Sequence, residues 1–199
     1  MPLDQARAAM VLLHGRGATA ESILTLAPAL DVAGFAYLAP QASGHTWYPQ
    51  SFLAPIPHNE PGISSGIQAI ADVLSTVTAG GLPLERTILL GFSQGACLAL
   101  EFAARHARRY GGVAGLSGGL IGPDGTSRNY AGSLEETPVF LGCSDTDPHI
   151  PAERVRHSAD VLRELGSDVT MRLYPGMGHL VNDDEIAQVR GMMRPLASQ

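Results

Sequence analysis

Short apolar runs alternate with stretches of helical periodicity from one end of the chain to the other. The runs Ala9 to Leu13, Phe35 to Ala39, Thr87 to Phe92, Val113 to Leu116, Val139 to Leu141 and Val169 to Tyr174 are bounded by Gly, Pro or polar residues. Each is read as apolar on both faces, the pattern of a buried parallel strand. Between them, apolar residues recur at helical spacing over about Ala20 to Leu30, Ser64 to Val77, Gln94 to Arg108, Ala152 to Leu165 and Asp184 to Leu196. Strands and helices in alternation predict an α/β fold, a mostly parallel sheet covered by helices on both faces. No repeat, low-complexity tract or linker interrupts the pattern, so residues 1–199 are expected to form one domain. In such sheets ligands bind beyond the carboxyl ends of the strands, which assigns any chemistry to the strand-to-helix loops.

Composition narrows the chemistry. The chain is 45% hydrophobic and 16% charged, which fits a folded globular chain with a sizeable core. No cationic segment followed by an apolar one opens it, and no apolar run reaches the length of a membrane span, so a cytoplasmic address without a membrane span is expected. A net charge of −6 opposes binding to a nucleic-acid backbone. The basic cluster Arg105, Arg108 and Arg109 falls at the end of a predicted helix, where cations complement the negative dipole end.

All 13 basic residues are arginines, and lysine is absent. That excludes Schiff-base catalysis on an ε-amine, lysine-anchored pyridoxal chemistry and the lysine of a phosphate-binding loop. Cys97 and Cys143 are too few for a disulfide scaffold or a zinc cluster, and are expected as buried free thiols. No metal or organic cofactor is implied.

The strongest local signal follows the third strand. Gly91-Phe92-Ser93-Gln94-Gly95 joins a fully apolar strand to a helix, which is the setting that a G-x-S-x-G elbow requires. A serine at the tip of so sharp a turn is pushed toward substrate, and glycines flank it because a Cβ there would crowd the turn. The helix start behind it aims unsatisfied N–H groups at developing negative charge, which makes the Gln94 N–H a candidate oxyanion donor.

A serine hydroxyl is a weak nucleophile until a base removes its proton, so this reading requires a histidine and an orienting acid, in the order Ser, acid, His. The strand after the elbow's helix leads into Gly142-Cys143-Ser144-Asp145-Thr146-Asp147-Pro148-His149-Ile150-Pro151, with two candidate acids, Asp145 and Asp147. The last strand ends in Tyr174-Pro175-Gly176-Met177-Gly178-His179. Of the seven histidines, His179 stands between glycines and the final helix, where a loop can reach back to the elbow.

With these motifs the chain resembles the phospholipase/carboxylesterase group of α/β-hydrolases, which includes bacterial carboxylesterases and acyl-protein thioesterases. The likeness extends over nearly the whole length: Leu13-His14-Gly15-Arg16-Gly17, Ala39-Pro40, Trp47-Tyr48, the Gly91 to Gly95 elbow, Leu116-Ser117-Gly118-Gly119-Leu120, Asp147-Pro148-His149-Ile150-Pro151 and Gly178-His179. The resemblance implies a Ser93, Asp147, His179 triad, since the family places its acid directly before a proline. It also implies that the Arg16 N–H is a second oxyanion donor, with His14 a structural residue. The activity so implied is hydrolysis of a small-molecule carboxylic ester of short to medium acyl length, with thioester or lysophospholipid hydrolysis as alternatives. A homodimer is a further implication. Arginine at position 16 departs from the family, where an apolar residue is commoner, and an anion-favouring role for its side chain competes with a solvent-exposed one.

The segment Ser43 to Pro61, with Trp47, Tyr48, Phe52, Leu53 and Ile56, is too irregular for a helix and too apolar for a linker. It is expected to wall the substrate pocket through Trp47, Phe52 and Leu53, joined by Ile150 and Met177, with Ser117 to Gly132 as the opposite rim. Cys97, one helical turn past Ser93, is expected to pack beneath the elbow. Two rivals remain. Gly15-Arg16-Gly17-Ala18-Thr19-Ala20 matches a dinucleotide-binding turn, although the second strand ends in Ala39-Pro40-Gln41 without the acidic residue that grips ribose. A catalytically silent hydrolase fold serving as a binding module is the other.

Overall fold

Six parallel strands in the order β2-β1-β3-β4-β5-β6 form one sheet in the computed structural model, which describes residues 1–198. They are β1 (Ala8–Leu13), β2 (Phe35–Leu38), β3 (Thr87–Phe92), β4 (Gly112–Leu116), β5 (Pro138–Ser144) and β6 (Asp168–Tyr174). The helices are α1 (Ala20–Leu24), α2 (Leu26–Leu30), α3 (Gly62–Ala79), α4 (Gln94–Arg105), α5 (Ala152–Glu164) and α6 (Asp183–Ala197). The architecture is that of an α/β-hydrolase, the fold class expected above.

Side chains alternate across each strand, and in β1 both sets are apolar; the edge strand β6, expected above to be apolar on both faces, instead turns Asp168, Thr170 and Arg172 to solvent. Ala9, Val11 and Leu13 of β1 face a core shared with α3, α4 and α5. Ala8, Met10 and Leu12 face a second core with α1, α2 and α6. Fully burying a side chain of this size stabilises the fold by roughly 1.5–3 kcal/mol. Truncating Leu90, buried in the second core, is therefore expected to cost about 2–5 kcal/mol.

Parallel register gathers the carboxyl ends of the strands. Leu13 lies opposite Gly91, Phe92 opposite Leu116 and Ser144 opposite Tyr174. The loops that follow β1, β3, β5 and β6 therefore open on the same edge of the sheet.

The helix expected over Ala20 to Leu30 is broken at Thr25. Pro28 has no N–H to continue the ladder, and the Thr25 hydroxyl donates to the Ser22 carbonyl at 2.6 Å. The helix expected to reach Arg108 stops at Arg105, because His106 leaves helical dihedrals and its carbonyl accepts the Tyr110 hydroxyl at 2.8 Å. The cationic cluster is accordingly divided: Arg105 pairs with Glu101 at 2.7 Å, while Arg109 donates to the Glu135 carbonyl. Among the described residues no helix is long and apolar enough to cross a membrane.

Candidate active site

The apolar strand β3 drives the chain into a turn whose tip, Ser93, has φ 56° and ψ −119°. Such a conformation costs a non-glycine residue on the order of 1–3 kcal/mol and persists only where the surroundings enforce it. They do so here by close approach. A Cβ at Gly91 would collide with the Gly95 backbone, and one at Gly95 with the Leu13 carbonyl, so the elbow sits directly against the end of β1. The Ser93 N–H donates to the Leu116 carbonyl at 2.9 Å, which fastens the other side.

From the far edge of the sheet, the loop after β6 reaches back to this serine. Gly176 and Gly178 turn it through φ of 60° and 78°. Their N–H groups are held by Asp145 Oδ1 at 2.8 Å and Ser144 Oγ at 3.1 Å. A capping box between Asn182 and Glu185 then starts α6. Between these anchors, His179 Nε2 lies 2.8 Å from Ser93 Oγ, and His179 Nδ1 lies 2.7 Å from Asp147 Oδ2. Asp145 makes no such contact; it supports the loop that carries His179.

Asp147 is buried, and burial works to raise its pKa. Hydrogen bonds from His179 and from the backbone N–H groups of His149 and Ile150, which donate to Oδ1 at 2.8 and 3.0 Å, outweigh it and hold the carboxyl below the ordinary aspartate value. The acid therefore stays ionised at neutral pH, in the state that orients an imidazole. Phe92 flanks the His179 ring with centroids 5.0 Å apart, and His149 meets its edge at 4.9 Å.

Two residues that line the cleft with Ser93 have backbone N–H groups without an acceptor among the described residues. Gln94 is the first residue of α4, and its N–H has no acceptor among the described residues. The same holds for Arg16, whose neighbours Gly17 and Ala18 donate to the His45 and Gly15 carbonyls. His14, behind this loop, is buried and accepts the Ala42 N–H at 3.1 Å through Nε2, which gives it a structural task.

The loop after β2 is tied to the elbow. Gln94 Oε1 accepts the Trp47 N–H at 2.8 Å, and Gln94 Nε2 donates to the Tyr48 carbonyl at 2.7 Å. Together they enclose a cleft of about 480 Å³ over Ser93 and His179, lined among others by Tyr48, Phe52, Cys97, His149 and Ile150.

Phe52 and Ile150 line this cleft, whereas Trp47, Leu53 and Met177 do not. Trp47 turns inward, because its indole N–H donates to the His14 carbonyl at 2.9 Å. Leu53 lines a separate cavity beside Arg154 and His157. Met177 is drawn away by Asn182, whose amide donates to its sulfur at 2.9 Å. The opposite rim is His149 and Ile150 rather than Ser117 to Gly132; that segment is held elsewhere by Glu101, which accepts the Ile121 N–H, and by Arg154, which donates to the Leu120 carbonyl. Cys97 is buried as expected, with Sγ accepting the Gly119 N–H at 3.5 Å, yet it also contributes to the cleft wall.

His149 and the Gln94 side chain escaped sequence reasoning. Gln94 carried a signal, since a polar side chain one position into an apolar helix beside an irregular loop needs partners. His149 carried none beyond its place between the acid and Ile150. Among the described residues no group of three or more His, Cys, Asp or Glu side chains is arranged to hold a metal ion.

The family model described as phospholipase/carboxylesterase matches residues 1–195. The chain belongs to this family. A family member of known structure from Dyadobacter fermentans superposes with a TM-score of 0.94 at 41% identity, covering 98% of this chain and 93% of that one. Acyl-protein thioesterase 1 of Gibberella zeae is 35% identical over 120 residues, which are 57% of this chain and 49% of that protein. The corresponding protein of Neurospora crassa is 27% identical over 68% of this chain and 56% of its own length. The matched part thus spans about half the length of these fungal relatives. A Bacillus cereus carboxylesterase shares the fold, with a TM-score of 0.77 at 17% identity over 95% of this chain and 88% of that one.

Proposed function

We propose that this chain is a serine hydrolase that cleaves carboxylic esters of short to medium acyl length through an acyl-enzyme on Ser93. The observation that carries this reading is the unbroken line from Ser93 Oγ to His179 Nε2 at 2.8 Å and from His179 Nδ1 to Asp147 Oδ2 at 2.7 Å. An imidazole so placed takes the hydroxyl proton as Oγ bonds to the carbonyl carbon, and an ionised Asp147 holds its tautomer. The Gln94 and Arg16 N–H groups stabilise the oxyanion. Collapse of the tetrahedral intermediate breaks the bond to the alkoxy oxygen, which leaves with the proton from His179. Water then gives a proton to His179, attacks the acyl carbon and restores Ser93 as the carboxylic acid departs.

Thioester hydrolysis is the second reading, and the likeness to the fungal acyl-protein thioesterases favours it. The same residues serve both, because the thiolate leaves where the alkoxide would. Dinucleotide binding at Gly15 to Ala20 loses support at the helix start itself. The Ala20 N–H, which a pyrophosphate would need, already donates to Gln41 Oε1 at 2.8 Å.

Labelling by a fluorophosphonate probe, followed by turnover of nitrophenyl esters of increasing acyl length beside acyl thioesters, tests the proposal. Native protein should label on Ser93, and Ser93→Ala should lower turnover by about 10⁶-fold. Absence of labelling together with absence of turnover on every ester and thioester would instead favour a silent fold that only binds.

A further inference from the structure

The basic side chains that line the cleft over Ser93 have no carboxylate beside them in its lining. Arg16, His149 and His179 line it and no carboxylate does, in a chain of net charge −6. Asp147, the acid bonded to His179, has a buried side chain with both oxygens engaged.

Arg16 is the decisive member. Its guanidinium donates to Thr46 Oγ1 at 3.1 Å, to the Pro49 carbonyl at 3.0 Å and to the Gln50 carbonyl at 2.6 Å. Pro49 and Gln50 are themselves cleft residues, so these bonds fix the cation at the cleft rim. All three acceptors are neutral. Arg105, Arg128, Arg154, Arg156, Arg163 and Arg172 each pair with a carboxylate, whereas no ion pair among the described residues includes Arg16. The bonds therefore orient the charge without cancelling it, and a guanidinium, with five N–H donors, has donors left for a ligand.

We propose that the substrate carries an anionic group, a carboxylate, within a few bonds of the scissile carbonyl, and that the Arg16 guanidinium receives it as a specificity-determining residue. The inference rests on the serine-hydrolase reading above. Tyr48, Phe52, Cys97 and Ile150 offer apolar wall for the aliphatic part, so the fitting substrate is short and amphiphilic. A half-ester or half-thioester of a dicarboxylic acid has this form, with the charge on the acyl side. An ester of a hydroxy acid has it on the alcohol side. Both present the same carboxylate to the same cation.

Matched pairs of substrates separate the cases. An aryl hemiglutarate is compared with its neutral methyl-ester counterpart, and the acetyl ester of 3-hydroxybenzoate with that of 3-hydroxybenzamide. In at least one pair, kcat/KM for the anion should exceed that for its neutral partner by about fivefold at low salt, the scale of a partly solvated charge pair. That preference should fade as salt rises from about 0.02 to about 0.5 M, because the rim is exposed to screening ions. The pair that shows it identifies the side of the ester that bears the charge. Arg16→Gln should bring the anion-to-neutral ratio close to one, and Arg16→Lys should keep part of it. A ratio near or below one in both pairs for the native protein, or a preference that Arg16→Gln leaves intact, overturns the proposal. The native protein alone can overturn the proposal, through the absence of an anion preference, even if the variant does not fold. Turnover of neutral esters without an anion preference sinks this inference only. No turnover and no Ser93 labelling removes the hydrolase reading with it.

Discussion

The amide of Gln94 donates to the Tyr48 carbonyl at 2.7 Å and accepts the Trp47 N–H, while the same residue lines the cleft and its backbone N–H has no acceptor among the described residues. One residue thus sets the position of the pocket wall relative to the nucleophile. Gln94→Ala keeps the backbone donor but strips partners from two buried backbone groups, at an expected cost of about 1–3 kcal/mol. Denaturant unfolding should show that loss, and fluorophosphonate labelling of Ser93 should slow without being abolished. Unchanged stability would mean that the loop after β2 is held by its other contacts alone.

Asp147 is expected to act through His179 rather than on substrate. Asp147→Asn keeps the side-chain shape but no longer stabilises an imidazolium, and kcat should fall by about 10³–10⁴-fold with little change in KM. The same carboxyl contributes to stability. Its folded pKa lies below the ordinary 3.8, so its contribution is present above that value and is lost as pH falls through the folded one. Native protein should therefore lose stability below about pH 4 more steeply than Asp147→Asn does. Parallel acid unfolding curves would count against an ionised, hydrogen-bonded Asp147.

Much of this arrangement was legible in the residue pattern, for identifiable reasons. Strands apolar on both faces and glycines where a Cβ cannot fit, such as Gly91 and Gly95, report local constraints, and local constraints are written in sequence. The choice between Asp145 and Asp147 came from a family pattern, since each stands in the same loop and only the fold shows which oxygen reaches His179. Pocket walls were least legible. Trp47 and Met177 have the right character for a wall, but their direction is set by distant partners, the His14 carbonyl and the Asn182 amide. No local pattern records those bonds.

Both thiols should be inert in the folded protein. Burial pushes Cys97 up to about 12, and burial together with the charge of Asp147 takes Cys143 to about 12 as well. The reactive species is the thiolate, which is scarce so far above neutral pH. Iodoacetamide at pH 8 should leave native protein unmodified and fully active toward its ester substrate, with both sites alkylated only after denaturation. Rapid modification of native Cys97 would show that the cleft wall opens to solvent.

Glu185 is a buried carboxyl for which the proposed chemistry has no use. Its Oε2 accepts the Asn182 N–H at 3.0 Å as half of the capping box on α6, but Oε1 has no partner and lies against Gly142 of β5, where a Cβ would strike it. Burial, with the charge of Asp184 adding to it, raises the carboxyl from 4.5 to about 7 against the pull of the Asn182 N–H. The folded state therefore holds this proton more tightly than the unfolded chain does. Stability is complete below the unfolded value, falls as pH rises from about 4.5 to about 7, and stays lower above that, by up to about 3 kcal/mol. Glu185→Gln keeps an oxygen for the Asn182 N–H and cannot ionise, so it should match native protein near pH 4.5 and exceed it at pH 8. Urea unfolding at both values measures the difference directly. Equal pH slopes for the two proteins would show that Glu185 ionises without cost, and that β5 and the start of α6 part far enough to admit water.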